Sequence, residues 1–146
     1  MDLSYFAIDT KKQAEGVWMR IGGAEFELLL GRMSSQHYYD KLEEIRDPIL
    51  KALPRGSVLS KEKADEIYNR SLAKAILLGW RGKFELNGKP IPPYSEELAF
   101  KILSTPELQP FRAAVVEHAN QLNEFACGNF EEIEKNLLSS STSTLP

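Results

Sequence analysis

The chain has 146 residues and a formal net charge of -3, and its hydrophobic and charged fractions of 42% and 27% are those of an ordinary globular domain. This composition argues against wholesale disorder, and the acidic balance disfavours nucleic acid or an anionic membrane as a partner. No apolar run approaches the roughly 20 residues that cross a bilayer, and no secretory signal pattern opens the chain, so we expect a cytoplasmic protein.

The chain contains one cysteine, Cys127. It cannot form an internal disulfide, and no second cysteine or Cys/His cluster stands at metal-ligand spacing. We therefore expect Cys127 to be a small buried apolar residue, and we expect no metal or other cofactor.

The N-terminal part predicts a β-hairpin. Residues 1–14 predict an extended lead-in with a short strand or turn, and Gly22-Gly23 favours a two-residue hairpin turn. The resulting register puts an apolar set on one face, which must lie on helices, and an Arg20–Glu25 charge pair on the other. The predicted pairs are Val17 with Leu28, Trp18 with Glu27, Met19 with Phe26, Arg20 with Glu25, and Ile21 with Ala24.

Trp18 lies on the outer face of this predicted hairpin, beside Arg20 and two glutamates. A tryptophan in that position is either covered by the N-terminal segment or used in association, including self-association. Sequence reasoning leaves both alternatives open. We therefore place Trp18 and Arg20 first among the candidate partner-binding residues.

Two helices are predicted between residues 34 and 78. Ser34, Ser35 or Gln36 would begin the first helix, and Pro48 predicts either a kink or a division into two short helices. Ser60 would begin the second helix, with Asn69 on its outward polar side. The inward stripe of this second helix comprises Ala64, Ile67, Tyr68, Leu72, Ala75 and Ile76.

Residues 77–95 form a joint between helices. Gly79 and Gly82 are expected to end the preceding helix. Asn87-Gly88 predicts a short ribbon at an edge, because the prolines that follow cannot donate hydrogen bonds. The joint also holds Trp80, Phe84 and Tyr94, which either fill the gap between helices or dock a partner.

The rest of the chain predicts further helices. Ser95 would begin a short helix with Leu98, Ala99, Ile102 and Leu103 inward. Thr105-Pro106 would begin a long helix that tolerates Pro110 in its first turn and ends at Gly128-Asn129, and residues 130–138 are assigned a last short helix.

The predicted fold class is mainly α with a small antiparallel β component. An N-terminal β-hairpin would pack on a compact bundle of about four to five helices, and residues 1–138 would form a single domain. Residues 139–146 are almost entirely serine and threonine, so we expect a flexible tail.

The sequence contains no catalytic pattern that we recognise. His37 and His118 are the only histidines, they fall on different predicted helices, and neither has a carboxylate or serine at catalytic spacing. Phosphate loops, dinucleotide fingerprints and zinc spacings are also missing. We expect a protein that is not an enzyme.

The joint carries a resemblance to a known family. Residues 73–82 (AKAILLGWRG), 87–92 (NGKPIP) and 94–99 (YSEELA) follow one another in an order that resembles the tail assembly chaperones of long-tailed bacteriophages and prophages. The resemblance extends forward through residue 125 and backward to residues 16–18 and 24–26. Pro93 and the Ser/Thr-rich end do not map onto the family pattern.

The resemblance implies a non-catalytic chaperone in the host bacterial cytoplasm. Such a protein binds the phage tape-measure protein, keeps it soluble and promotes assembly of the tail tube. The resemblance also implies weak homo-oligomers, and contact with the major tail tube protein through a C-terminal extension. The alternative is a structural virion component, such as a minor tail protein or a head-tail connector. A third possibility, an enzyme that uses His37 or His118, would require those residues to converge in a pocket.

Overall fold

The computed structural model describes residues 2–126, which are mostly helical with small antiparallel sheets, and the predicted fold class is confirmed. The helices are α1 Thr10–Glu15, α2 Gln36–Ala52, α3 Lys61–Ala75, α4 Glu96–Ser104, α5 Gln109–Ala119 and α6 Leu122–Phe125, and the 3₁₀ turns are Leu3–Phe6 and Pro106–Leu108. The strands are β1 Val17–Arg20, β2 Phe26–Leu30, β3 Leu77–Gly82, β4 Glu85–Leu86 and β5 Lys89–Pro90. None of the helices within residues 2–126 is long and apolar enough to cross a bilayer.

The larger sheet has three antiparallel strands in the order β1-β2-β3. The predicted hairpin register is wrong by two residues, because Met19 pairs with Leu28 and Arg20 pairs with Glu27. Residues 21–25 make a longer loop, in which the Ala24 N–H donates to the Ile21 carbonyl oxygen at 3.1 Å. A slip of two residues keeps every side chain on its predicted face, since side chains alternate with a period of two.

The predicted Arg20–Glu25 charge pair is also wrong. Glu25 instead lies 3.6 Å from the Lys83 ammonium, on the far side of the sheet from β1. The longer loop carries Glu25 out of the β1–β2 ladder, and the third strand brings Lys83 beside it.

Strand β3 is the largest departure from the predicted elements. The sequence predicts a helix end at residues 77–82, but these residues form an edge strand in which Trp80 pairs with Leu28. A short apolar run fits either a helix or a strand by its periodicity, and the unpaired edge of β2 decides between them. The prediction of an extended segment over residues 1–14 is only partly right. Ile8 forms a short bridge with Ala126, but helix α1 follows it.

Helix α2 is continuous, so the predicted kink or division at Pro48 is wrong. The hydrogen bond that proline removes would have reached the Glu44 carbonyl, one turn earlier. Both Pro48 and Glu44 are exposed, so water can satisfy that carbonyl and the helix need not break.

Two residues of α3 lie on the other side of the helix from that predicted. Ala64 is exposed, whereas Asn69 is buried with 5% of its surface accessible. Asn69 accepts a hydrogen bond from Arg112 at 3.0 Å and its amide lies 3.4 Å from the Ser104 hydroxyl. Arg112 lies on α5 and Ser104 at the end of α4. Their hydrogen bonds offset the free energy that burying the Asn69 side-chain amide without partners would cost.

Helix α5 is shorter than predicted. It ends at Ala119 instead of continuing to Gly128, and α6 follows after a turn at Asn120. The Ala119 carbonyl accepts from the Met33 N–H at 3.0 Å, so a contact with the loop before α2 takes the place of further helix. The predictions for Cys127, the helix over residues 130–138 and the tail over residues 139–146 lie outside the described residues.

Other local predictions are confirmed. Pro110 lies in the first turn of α5, and the ribbon pairs Leu86 with Lys89 through a turn in which Asn87 and Gly88 both have positive φ. Ser35, Ser60 and Ser95 each accept a backbone N–H as helix N-caps.

One core joins the sheet to the helices. Its fully buried large side chains are Leu28, Leu30, Leu72, Ile76, Leu77, Leu103, Val115 and Phe125. The inner face of the sheet and the apolar stripes of α3, α4 and α5 all contribute to it. Gly31 lies where the sheet meets the end of α3, and its N–H donates to the Ile76 carbonyl at 2.8 Å.

We predict that Gly31→Ala lowers the free energy of unfolding by about 2 to 3 kcal/mol. A Cβ on Gly31 would overlap the carbonyl oxygen of Ala75, and backbone cannot rotate away as a side chain can. Gly23→Ala is the matched control, because a Cβ there meets nothing within 4 Å. Urea unfolding of the two variants tests this, and equal stabilities would contradict it.

Candidate partner-binding surface

The five candidate residues separate into two groups on opposite faces of the sheet. Trp80 pairs with Leu28 and therefore lies on the inner face, where Phe84 and Tyr94 join it. Trp18 pairs with Leu29 and Arg20 with Glu27, so these two lie on the outer face. The structure therefore does not bring the five residues together into one surface.

The inner group forms an aromatic corner, defined by Trp80, Phe84, Tyr94, Phe26 and Phe111. The ring centroids of Trp80 lie 5.1 Å from Phe84 and 4.9 Å from Tyr94, and Phe84 also contacts Phe26 and Phe111. The Trp80 indole N–H donates to the Pro92 carbonyl at 3.0 Å, which satisfies its one polar group. Only 7% of Phe84 is accessible, so this side chain offers a partner little surface.

Tyr94 connects the corner to the end of α3. Its hydroxyl lies 2.8 Å from the Leu77 carbonyl oxygen and 3.2 Å from that of Ala73, and it donates its hydrogen toward them. The Ala73 carbonyl belongs to the last turn of α3, where helical acceptors have no partner within the helix. Burial, and to a smaller extent the charge of Glu96, raises the pKa of Tyr94 to about 12.

The outer group depends on a stack across the sheet. The Arg81 guanidinium carbon lies 4.0 Å from the centre of a Trp18 ring, and the Arg81 Nε lies 3.2 Å from a carboxylate oxygen of Glu27. A Cβ on Gly79 would come within 3.4 Å of Trp18, so glycine allows the indole to lie close to β3. Trp18 is thereby held partly buried, and Arg20 remains exposed at the adjacent position of the face.

An apolar groove lies between the β4–β5 ribbon and α4. Its volume is about 390 Å³, and it is lined by Leu86, Asn87, Lys89, Pro90, Ile91, Pro92, Leu98 and Ile102. Leu86 is 44% accessible, which is high for a large apolar side chain. Sequence reasoning identified the ribbon but missed the groove, because the distance between the ribbon and α4 is a tertiary property.

Sequence reasoning also missed Arg81 and Gly79 as parts of the outer face. With residues 77–82 assigned to a helix end, neither residue had a place beside Trp18. The alternation of Trp80 with Gly79 and Arg81 was the available signal, because period-two alternation indicates a strand.

The two histidines lie on α2 and α5, as predicted. The Nδ1 atom of His118 lies 2.9 Å from the carbonyl oxygen of Ala114 in its own helix, so this ring contacts its own backbone. Over residues 2–126, neither His37 nor His118 has a hydrogen bond or ion pair to a carboxylate. The described residues also contain no group of three or more His, Cys, Asp or Glu side chains that could hold a metal ion.

We expect Tyr94→Phe to lower the free energy of unfolding by about 1 to 2 kcal/mol, because it leaves a partly buried carbonyl without its donor. Tyr39→Phe is the control, since Tyr39 is 45% accessible and should change stability little. Denaturant unfolding monitored by circular dichroism measures both. If the Tyr94→Phe protein is as stable as the Tyr39→Phe protein, the Tyr94 hydroxyl does not contribute to the free energy of unfolding.

The raised pKa of Tyr94 also predicts a loss of stability in alkali. Between the ordinary tyrosine pKa of 10.0 and about 12, the unfolded chain loses this proton while the folded chain retains it. Deprotonation then favours the unfolded state, so the free energy of unfolding falls as pH rises through this window. The fall should be smaller in Tyr94→Phe, and parallel pH profiles for the two proteins would contradict the assignment.

Comparison with known proteins gives one family. Residues 33–136 match the family described as YdaY prophage protein, a span that contains α2 to α6, the ribbon and the whole joint. No curated protein and no solved structure matches the chain. Because the match extends over more than half of the sequence, the chain belongs to the YdaY prophage protein family.

Proposed function

We propose that this prophage protein is a non-catalytic tail assembly chaperone that binds the tape-measure protein. The observation that carries the proposal is that the prophage family match contains the whole joint, whose residue order resembles the tail assembly chaperones. A tail assembly chaperone must come from a phage or prophage, and the family match gives a prophage origin. The proposal places the protein in the cytoplasm of the host bacterium, with no cofactor.

The groove beside the ribbon is the surface we assign to the tape-measure protein. Tape-measure proteins are long and helical, and an amphipathic helix is commonly bound by placing its apolar side in an apolar groove. Leu86 from the ribbon, Ile91 directly after it and Leu98 from α4 would contact that apolar side. Lys89 at the rim would keep its charge in water while its stem covers the helix.

Many copies of the chaperone would act on one tape-measure chain. Weak self-association between neighbouring copies would raise the local concentration of each binding groove, so modest affinities would combine along the tape. The major tail tube protein would then displace the chaperones, through contact with a C-terminal extension of some copies. This arrangement would cover apolar stripes of the tape measure until the tube encloses them.

Co-expression with the tape-measure protein of the same prophage tests the proposal. We expect a complex in pull-down and more soluble tape-measure protein than without the chaperone. Absence of both would reject the proposal. The alternative, a structural virion component such as a minor tail protein or head-tail connector, predicts the protein in purified particles by mass spectrometry.

We predict that Leu86→Glu weakens the tape-measure complex by roughly tenfold or more, because it puts a charge into an apolar contact. Val58→Glu is the matched control, since Val58 is 89% accessible in the loop between α2 and α3 and does not line the groove. Calorimetry or quantified pull-down compares the two variants. Equal affinities would move the binding site away from the groove.

A further inference from the structure

The outer face of the three-stranded sheet is a second surface, distinct from the groove. It is formed by Trp18, Arg20, Glu27, Leu29, Gly79 and Arg81. Trp18 and Leu29 are only partly buried, and neither belongs to the cluster that joins the sheet to the helices. Large apolar side chains outside the core, next to arginines, are typical of protein contact surfaces.

The charge of this outer face differs in sign from that of the whole chain. Arg20, Glu27 and Arg81 are neighbours across the three strands, so the face carries two positive charges and one negative charge. The complete chain has a net charge of -3. An occupant of this face should therefore present acidic groups around an apolar contact.

Helix α2 presents a surface with those properties. Tyr39 and Leu50 are 45% and 43% accessible, and with Glu43 they lie along one side of the helix, because their spacings of four and seven residues correspond to one and two turns. Asp40 and Asp47 lie beside this stripe. A shallow depression of about 600 Å³ next to the stripe is lined by Asp40, Glu43, Glu44, Asp47, Pro48 and Lys51.

We propose that the outer face of the sheet in one copy binds the acidic side of α2 in a second copy. Trp18 and Leu29, which are direct partners across β1 and β2, would contact Tyr39. The exposed Arg20, two residues from Trp18, would then lie near Glu43, one helical turn from Tyr39. The two surfaces differ, so the contact is heterologous and leads to a ring or an open chain of copies. The proposal rests on the self-association in the proposed function and names the surfaces that make it.

The contact should be weak because the face is small. Strands of four to six residues, about 3.3 Å per residue and about 4.8 Å apart, give a face of about 10 by 15 Å. A standard stable interface buries roughly 800 Å² on each partner. Association should therefore depend on protein concentration and fall as salt screens the charges.

A pair of charge reversals tests the contact. Arg20 and Glu43 are both exposed, and within residues 2–126 neither side chain has a hydrogen bond or an ion pair, so replacing them removes no side-chain contact of the fold. We expect Arg20→Glu and Glu43→Lys each to weaken self-association roughly tenfold. The double variant should associate again, because Glu at position 20 would then meet Lys at position 43 of the next copy. Sedimentation velocity over a concentration series measures all four proteins.

Lys61→Glu is the control, since it changes the net charge as Arg20→Glu does but lies at the start of α3, outside both surfaces. It should associate like the wild type. A wild type that stays monomeric at every concentration, or a double variant that does not recover, would overturn the proposal. Capture of the tape-measure protein is measured separately, so a failure of the proposed function can be distinguished from a failure of this contact.

Discussion

The junction between α3 and β3 is the constraint on which the rest of the structure depends. Within two residues the chain changes from helix to strand, so carbonyls at the helix end lose their helical partners. The Gly31 N–H donates a hydrogen bond to the Ile76 carbonyl, and the Tyr94 hydroxyl donates toward the carbonyls of Ala73 and Leu77. One donor comes from the end of the hairpin and the other from the start of α4. The junction therefore sets the angle between α3 and the sheet, and it also determines where the ribbon and α4 lie.

This geometry gives the sheet two different faces. The inner face carries Leu28, Leu30 and Trp80 into the core and the aromatic corner, whereas the outer face carries Trp18 stacked on Arg81. Glycine at position 79 favours this cross-strand packing, because a Cβ there would come within 3.4 Å of the indole. The aromatic residues of the corner therefore fill space between elements, whereas Trp18 lies partly buried on the other side of the sheet.

The proposed function uses surfaces that these constraints leave open. The ribbon and α4 border the apolar groove, and the outer face and α2 carry opposite net charges around apolar side chains. The family match begins at residue 33, after the hairpin, so it contains the groove and α2 but not strands β1 and β2. In this scheme, binding of the tape-measure protein depends on the part of the chain that the family shares, and the contact between copies also requires the hairpin.

The sequence alone determined the features that depend on neighbouring residues. The serine caps, the Asn87-Gly88 turn, the place of Pro110 and the faces of the hairpin follow from local hydrogen bonding, backbone preference and side-chain alternation. The candidate residues Trp18, Arg20, Trp80, Phe84 and Tyr94 were visible as aromatic or charged positions, but their division into two groups was not. Only the tertiary structure decided that residues 77–82 form a strand, that α2 continues through Pro48 and that α5 ends at Ala119. In each case the deciding factor is tertiary: the free edge of β2 for the strand, the exposure of Pro48 and Glu44 for α2, and the Met33 N–H for the end of α5. The periodicity of a local segment contains none of these.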